Sequence, residues 1–155
     1  MPPNQRNSDE LLATLNVLIG EWSVDAQFPD AAPSGPNGST VFEWTLDGKF
    51  VTQRGTFDRP DAPDVFALIG LNATEDGFTQ HYFDSRGVVR VYDMTLDENV
   101  WRLRREAPDF TPLEFAQRFT GFISDDGLAV DGAWEIRRDN STWNHDFVVR
   151  YRKVS

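Results

Sequence analysis

The chain contains no cysteine. That excludes a disulfide framework, a thiolate metal site and a thiol nucleophile. Histidine is scarce: there are two, His81 and His145. No set of His, Asp or Glu stands at a spacing that recurs in zinc or calcium motifs, so no metal site is expected. Basic residues are outnumbered, 15 Lys and Arg against 25 Asp and Glu, for a net charge of -10. Counterion release needs a basic face, so nucleic acid is not an expected partner. An anionic membrane surface is disfavoured for the same reason. No apolar run approaches the roughly 20 residues of a spanning helix. The opening Met1-Pro2-Pro3-Asn4-Gln5-Arg6-Asn7 lacks the apolar core of a signal peptide, and the expected compartment is a reducing cytoplasm. On that expectation the Asn-x-Ser/Thr matches at Asn37, Asn72 and Asn140 are chance. Gly-x-Gly-x-x-Gly, P-loop and Gly-x-Ser-x-Gly patterns are also missing, so no motif fixes a chemistry.

What the chain does have is aromatic rings, 12 Phe, 5 Trp and 3 Tyr. Rings in that number line a core or a cavity. A length of 155 residues suits one domain with a sizeable core. Residues 1–7 read as a disordered tail and 8–155 as the folded domain. Ser8 is the expected N-cap of a short helix, with Asp9 and Glu10 at the positive end of its dipole. Leu11, Leu12, Leu15, Leu18 and Ile19 form one apolar stripe, and Gly20 ends it. The stripe is a lid or plug packed on the rest, too short to span a bilayer.

After Gly20 the period changes to two. Trp22, Val24, Ala26 and Phe28 alternate with Ser23, Asp25 and Gln27, as in a half-buried strand. Pro29–Gly38 is a loop. Turn signals then recur at short intervals: Asp47-Gly48, Asp76-Gly77, Arg86-Gly87, Asp97-Glu98-Asn99, Asp126-Gly127 and Asp139-Asn140. Asp58–Pro63 and Ala107–Leu113 are longer Pro-containing joins. About ten strands joined mostly by tight hairpins make a meander, and a meander of that length leaves exposed edges unless it closes. The expected fold is all-β, a single antiparallel up-and-down barrel able to enclose a small ligand. A jelly roll competes but needs long crossovers.

Alternation sorts residues by face. Trp143, His145, Phe147, Val149 and Tyr151 fall on one expected inner face. Leu128, Val130, Trp134 and Ile136 fall on another, and Phe115, Gln117, Phe119 and Ile123 on a third. Trp44 goes with Phe42 and Leu46. Arg90 and Tyr92 go with Val88 and Met94, and Arg54 with Phe50. An arginine inside a barrel needs an anion or a wet cavity. One reading is that Arg54, Arg90, Tyr92, Gln117 and Trp134 line such a cavity. The other is that a bulge slips the parity and turns some of these residues to solvent.

Two resemblances follow from particular residues. His81-Tyr82-Phe83-Asp84-Ser85-Arg86-Gly87-Val88, then Arg90-Val91-Tyr92, resembles a family of uncharacterised bacterial proteins with lipocalin-like, calycin-type barrels. Gln117-Arg118-Phe119-Thr120-Gly121, Ser124-Asp125-Asp126-Gly127, Trp143-Asn144-His145-Asp146-Phe147 and Tyr151 fit the same pattern. This resemblance covers the second half of the chain and implies the barrel fold. More loosely, Gly20-Glu21-Trp22, Pro29 and a histidine in the last strand are similar to nitrobindins, haem-binding barrels. There a C-terminal histidine ligates iron, and His145 is the matching position. The Gly-rich repeat of that family is replaced here by Ser23-Val24-Asp25-Ala26. Gly-x-Trp also occurs in lipocalins generally, which implies that Trp22 plugs one end.

The leading functional expectation is binding of a small, largely hydrophobic molecule with a polar or anionic group. Trp44, Tyr92, Phe119 and Trp134 would supply walls, and Arg54, Arg90, Gln117 and His145 would orient the ligand. The second is haem binding through His145. The third is a barrel enzyme of isomerase or cyclase type, with His81, Tyr82 or Asp84 as general acid–base groups. A homodimer formed through exposed aromatics is the fourth.

Overall fold

A computed structural model describes residues 7–27, 36–59, 62–110, 112–139 and 141–155. Most of the expected tail, Phe28, most of the Pro29–Gly38 loop and Asn140 lie outside the described residues. A short helix α1, Ser8–Ala13, runs into a 3-10 segment, Thr14–Leu18. Ten strands follow: β1 Gly20–Gln27, β2 Gly38–Thr45, β3 Phe50–Phe57, β4 Val65–Leu71, β5 Phe78–Asp84, β6 Val89–Asp97, β7 Val100–Arg105, β8 Ala116–Ile123, β9 Ala129–Arg137 and β10 Asn144–Lys153. Each pairs antiparallel with its sequence neighbours, and β1 pairs with β10 from Trp22↔Lys153 to Gln27↔Val148. The sheet is therefore a closed up-and-down barrel, and closure leaves no unpaired edge strand. Tight turns make the meander possible. Asp47 and Gly48, and Glu98 and Asn99, take the positive φ that short hairpins demand.

The helix cap differs from the expected one by a residue. Asn7, not Ser8, is the N-cap, and its side chain accepts the Glu10 N–H at 2.8 Å. Asn and Ser both serve at this position, so composition alone does not choose between them. Leu11, Leu12, Leu15 and Leu18 are buried against Trp22, Phe42, Val51, Ile69, Phe78, Met94 and Leu96. Burial of each leucine contributes about 1.5–3 kcal/mol. The Trp22 indole N–H donates to the Leu18 carbonyl at 2.8 Å, which ties the plug to β1. The helical segment thus closes the end of the barrel where β1 begins, and the dense core fills that half. Leu46 and Leu128, expected inside, lie in turns at this end and are 65% and 53% exposed.

Two irregularities shape the opposite half. In β10 the pairing with β9 shifts between His145, opposite Glu135, and Phe147, opposite Trp134, which leaves Asp146 as a bulge. Between β6 and β7 the ladder stops at Asp93↔Arg104. Beyond it the Asp109 carboxylate fills the gap. It accepts the Val91 N–H at 2.7 Å and both Arg105 Nε and Nη2 at 2.9 Å.

Candidate ligand-binding cavity

The open half of the barrel holds a cavity of about 560 Å³. That lies within the range of small-molecule sites. Its floor is aromatic. Trp101 is 2% exposed and meets Phe119 edge-on at 5.0 Å between centroids. Phe119 also meets Trp134 at 5.3 Å, and Trp134 meets Tyr92 at 5.6 Å and stacks on Phe147 at 6.4 Å. Gly121 and Gly132 face each other across the β8–β9 ladder beneath the Phe119 ring. A Cβ at Gly132 would come within 2.5 Å of that ring, and one at Gly121 within 2.9 Å. The paired glycines form the dent in which Phe119 sits.

Polar groups stand above this floor. The Tyr92 hydroxyl donates to Gln117 Oε1 at 2.9 Å. The Tyr82 hydroxyl donates to Asp84 Oδ2 at 2.8 Å, and Arg86 Nη2 donates to the same oxygen at 2.6 Å. Burial and the Asp84 carboxylate push the Tyr82 phenol well above its ordinary range. Burial alone does the same to Tyr151. Burial also raises Tyr92, opposed by the nearby Arg90 guanidinium. All three tyrosines are therefore neutral at physiological pH. Asp84 is held below the usual carboxylate range: burial works against this, and hydrogen bonds from Arg86 and Tyr82 outweigh it. Asp146, turned to the cavity by the bulge, is pushed up by burial.

Two buried donors have no partner among the described residues, Arg90 Nε and Trp101 Nε1. Gln80 faces the cavity at 3% exposure, and its amide makes no hydrogen bond among the described residues. Phe115 at the mouth lies under two guanidinium groups, Arg90 at 5.6 Å and Arg138 at 4.9 Å from its ring. Asn37 stiffens the same rim. Its side-chain amide donates to the Ala26 carbonyl at 2.9 Å and accepts the Ala26 N–H at 3.1 Å, which extends the ladder by one rung.

Of the ten residues singled out from sequence, Tyr82, Arg90, Tyr92, Gln117, Phe119 and Trp134 line the cavity together. The other four do not. Arg54 is exposed on the outer face of β3, its guanidinium 4.9 Å from the Phe66 ring, because Val51, Gln53 and Gly55 take the inner positions. Arg54 and Phe50 do share a face, but it is the outer one. His81 is exposed on β5, where Gln80 and Tyr82 point inward. It is thereby separated from Tyr82 and Asp84, its expected acid–base partners. His145 is exposed because the bulge reverses the alternation. Trp44 packs on the plug, with its indole donating to Asn16 Oδ1 at 3.0 Å. Neither histidine reaches the cavity, so the donor set does not fit a haem ligated by His145.

Sequence reasoning passed over Trp101, Gln53, Gln80, Arg59, Arg86 and Asp146, all on the cavity wall. Trp101 was within reach of the alternation rule, since Trp101, Leu103 and Arg105 alternate with Arg102 and Arg104 along β7. Gln80 shares parity with Tyr82. Arg59 and Arg86 come from loops, where no periodicity operates.

No protein-family model matches this chain, and no curated protein sequence matches it. Among solved structures it is similar to "Crystal Structure of Rv2717c from M. tuberculosis", with a TM-score of 0.63 and 16% identity over 94% of this chain and 98% of that one. At that identity the likeness concerns the fold alone.

Proposed function

We propose that the protein binds a small, largely apolar molecule carrying one polar or anionic group, held inside the barrel in the manner of a lipocalin. One observation carries this reading: half of the barrel is a cavity with an aromatic floor and wall atoms, Arg90 Nε and Trp101 Nε1, that lack partners among the described residues. A barrel serving only as structure gains stability by filling its interior, because unfilled volume forfeits packing contacts. Buried donors left unpaired also cost free energy, which a bound ligand with matching acceptors recovers. The plug closes one end, and among the described residues the other end is open, so a ligand enters at the mouth between Arg86, Phe115 and Asp146.

The test is a fluorescence titration with 1-anilinonaphthalene-8-sulfonate, beside native mass spectrometry of gently purified protein. Saturable enhancement at one site, lost in Ala26→Trp and in Val65→Trp while far-ultraviolet circular dichroism stays unchanged, is the expected result. Both substitutions place a large ring on the cavity wall. No saturable probe binding together with a bare native mass would overturn the reading.

A further inference from the structure

The cavity's charge runs against that of the chain. Among the described residues its wall carries Arg59, Arg86 and Arg90 against one carboxylate, Asp146, in a protein with 25 acidic and 15 basic residues. Arg86 is engaged by Asp84. Arg90 is not engaged by any carboxylate among the described residues. Its Nε is buried without a partner, and its guanidinium lies over the Phe115 ring. Its polar neighbour is the neutral Tyr92 hydroxyl, to which it hydrogen-bonds. A half-buried arginine with no counter-ion is costly, since the group gives up water and gains no anion.

A second donor meets the same Tyr92 hydroxyl. Gln117 is 7% exposed, and its Oε1 is occupied by the Tyr92 hydroxyl. The amide is thereby oriented. Its Nε2, with two N–H groups, is left without a partner among the described residues. Guanidinium and amide nitrogen can only donate. A group that only accepts satisfies both, and an oxyanion does so with charge-assisted bonds. Resting on the cavity reading above, we propose that Arg90 and the Gln117 amide form an oxyanion subsite. The ligand is then an organic acid, its carboxylate at Arg90 and its apolar body against Trp101, Phe119 and Trp134. Tyr92 is a positioning residue that acts through the Gln117 amide.

The experiment compares naphthalene-2-carboxylate with its neutral isostere naphthalene-2-carboxamide by calorimetry, on wild type, Arg90→Gln, Arg90→Lys and Gln117→Glu. In the wild type the acid binds at least about tenfold more tightly than the amide, as expected of a charge-assisted pair. Arg90→Gln brings the two within about twofold while amide binding persists, which shows that the cavity is intact. Arg90→Lys retains part of the preference. Gln117→Glu supplies an internal carboxylate to Arg90 and removes the preference. Equal binding of acid and amide to the wild type, or an undiminished preference in Arg90→Gln, overturns the subsite and leaves the cavity reading standing. Anilinonaphthalene sulfonate, itself an oxyanion, binding wild type and Arg90→Gln equally also overturns the subsite. If none of the three compounds binds, the cavity reading itself fails.

Discussion

His145 and Phe147 stand two residues apart in β10 and face opposite sides of the barrel wall. Strict alternation would place them together. Asp146 is the extra residue: His145 sits opposite Glu135 and Phe147 opposite Trp134, adjacent positions on β9. A one-residue bulge thus moves the only histidine of the last strand out of the cavity. His145→Ala should leave the affinity for anilinonaphthalene sulfonate within about twofold, while Phe147→Ala, which removes a ring stacked on Trp134, weakens it roughly threefold to tenfold. Expression with added haem tests the same relationship. A Soret band that disappears in His145→Ala would contradict the placement.

The bulge also marks where the sequence stopped being legible. The barrel, its ten strands and its plug follow from period and turn chemistry, and β5 and β7 are bounded at the residues the turns indicate. Faces were readable on β6 and β8, which keep regular register around Arg90, Tyr92, Gln117 and Phe119. On β10 a single inserted residue reversed the reading of everything before it, and no residue type announces such a bulge. Arg54 failed differently. Alternation grouped it with Phe50, and nothing local told which of two mixed faces was the inner one. The answer came from Gln53 and Gly55, small or polar residues that a hydrophobic pattern does not favour for the interior.

The three tyrosines make the barrel sensitive to alkali. Tyr82, Tyr92 and Tyr151 all have pKa values raised above that of a free phenol, chiefly by burial. Below the unfolded value both states keep these protons, and stability does not depend on them. Above it the unfolded chain ionises while the native state does not, so stability falls as pH rises. Each such tyrosine lowers stability by about 1.4 kcal/mol per unit above roughly pH 10. Tyrosinate absorbance should appear together with loss of near-ultraviolet circular dichroism, in one cooperative step. A gradual rise in absorbance with the fold intact would show the phenols to be accessible.

Plug and cavity occupy opposite halves, and a core substitution separates them. Leu15 is fully buried between the helical segment and the barrel floor. Leu15→Ala should cost about 2–5 kcal/mol and lower Tm by roughly 5–15 °C. Probe affinity measured well below the transition should be unchanged, because no residue of the helical segment lines the cavity. Loss of binding in a folded Leu15→Ala variant would mean that the plug holds the mouth in shape.

Asp109 closes the seam where β6 and β7 part. Among the described residues it serves three donors, Val91 N–H, Arg105 Nε and Arg105 Nη2, with side-chain exposures of 2% for Arg105 and 9% for Asp109. Removing the carboxylate takes the counter-ion from a buried guanidinium, so Asp109→Ala should destabilise by about 3–5 kcal/mol. Replacement of both groups, Arg105→Met with Asp109→Leu, should cost far less than Asp109→Ala alone, since no charge is then left buried unpaired. The surface pair Arg150–Asp131, at 3.4 Å and about half exposed on both sides, is the control. Asp131→Ala should change stability by no more than about 0.5 kcal/mol. Urea denaturation of the wild type and these three variants decides the matter. If Asp109→Ala is no worse than Asp131→Ala, water enters the seam and replaces the carboxylate, and the β6–β7 gap is then a second, lateral opening into the cavity.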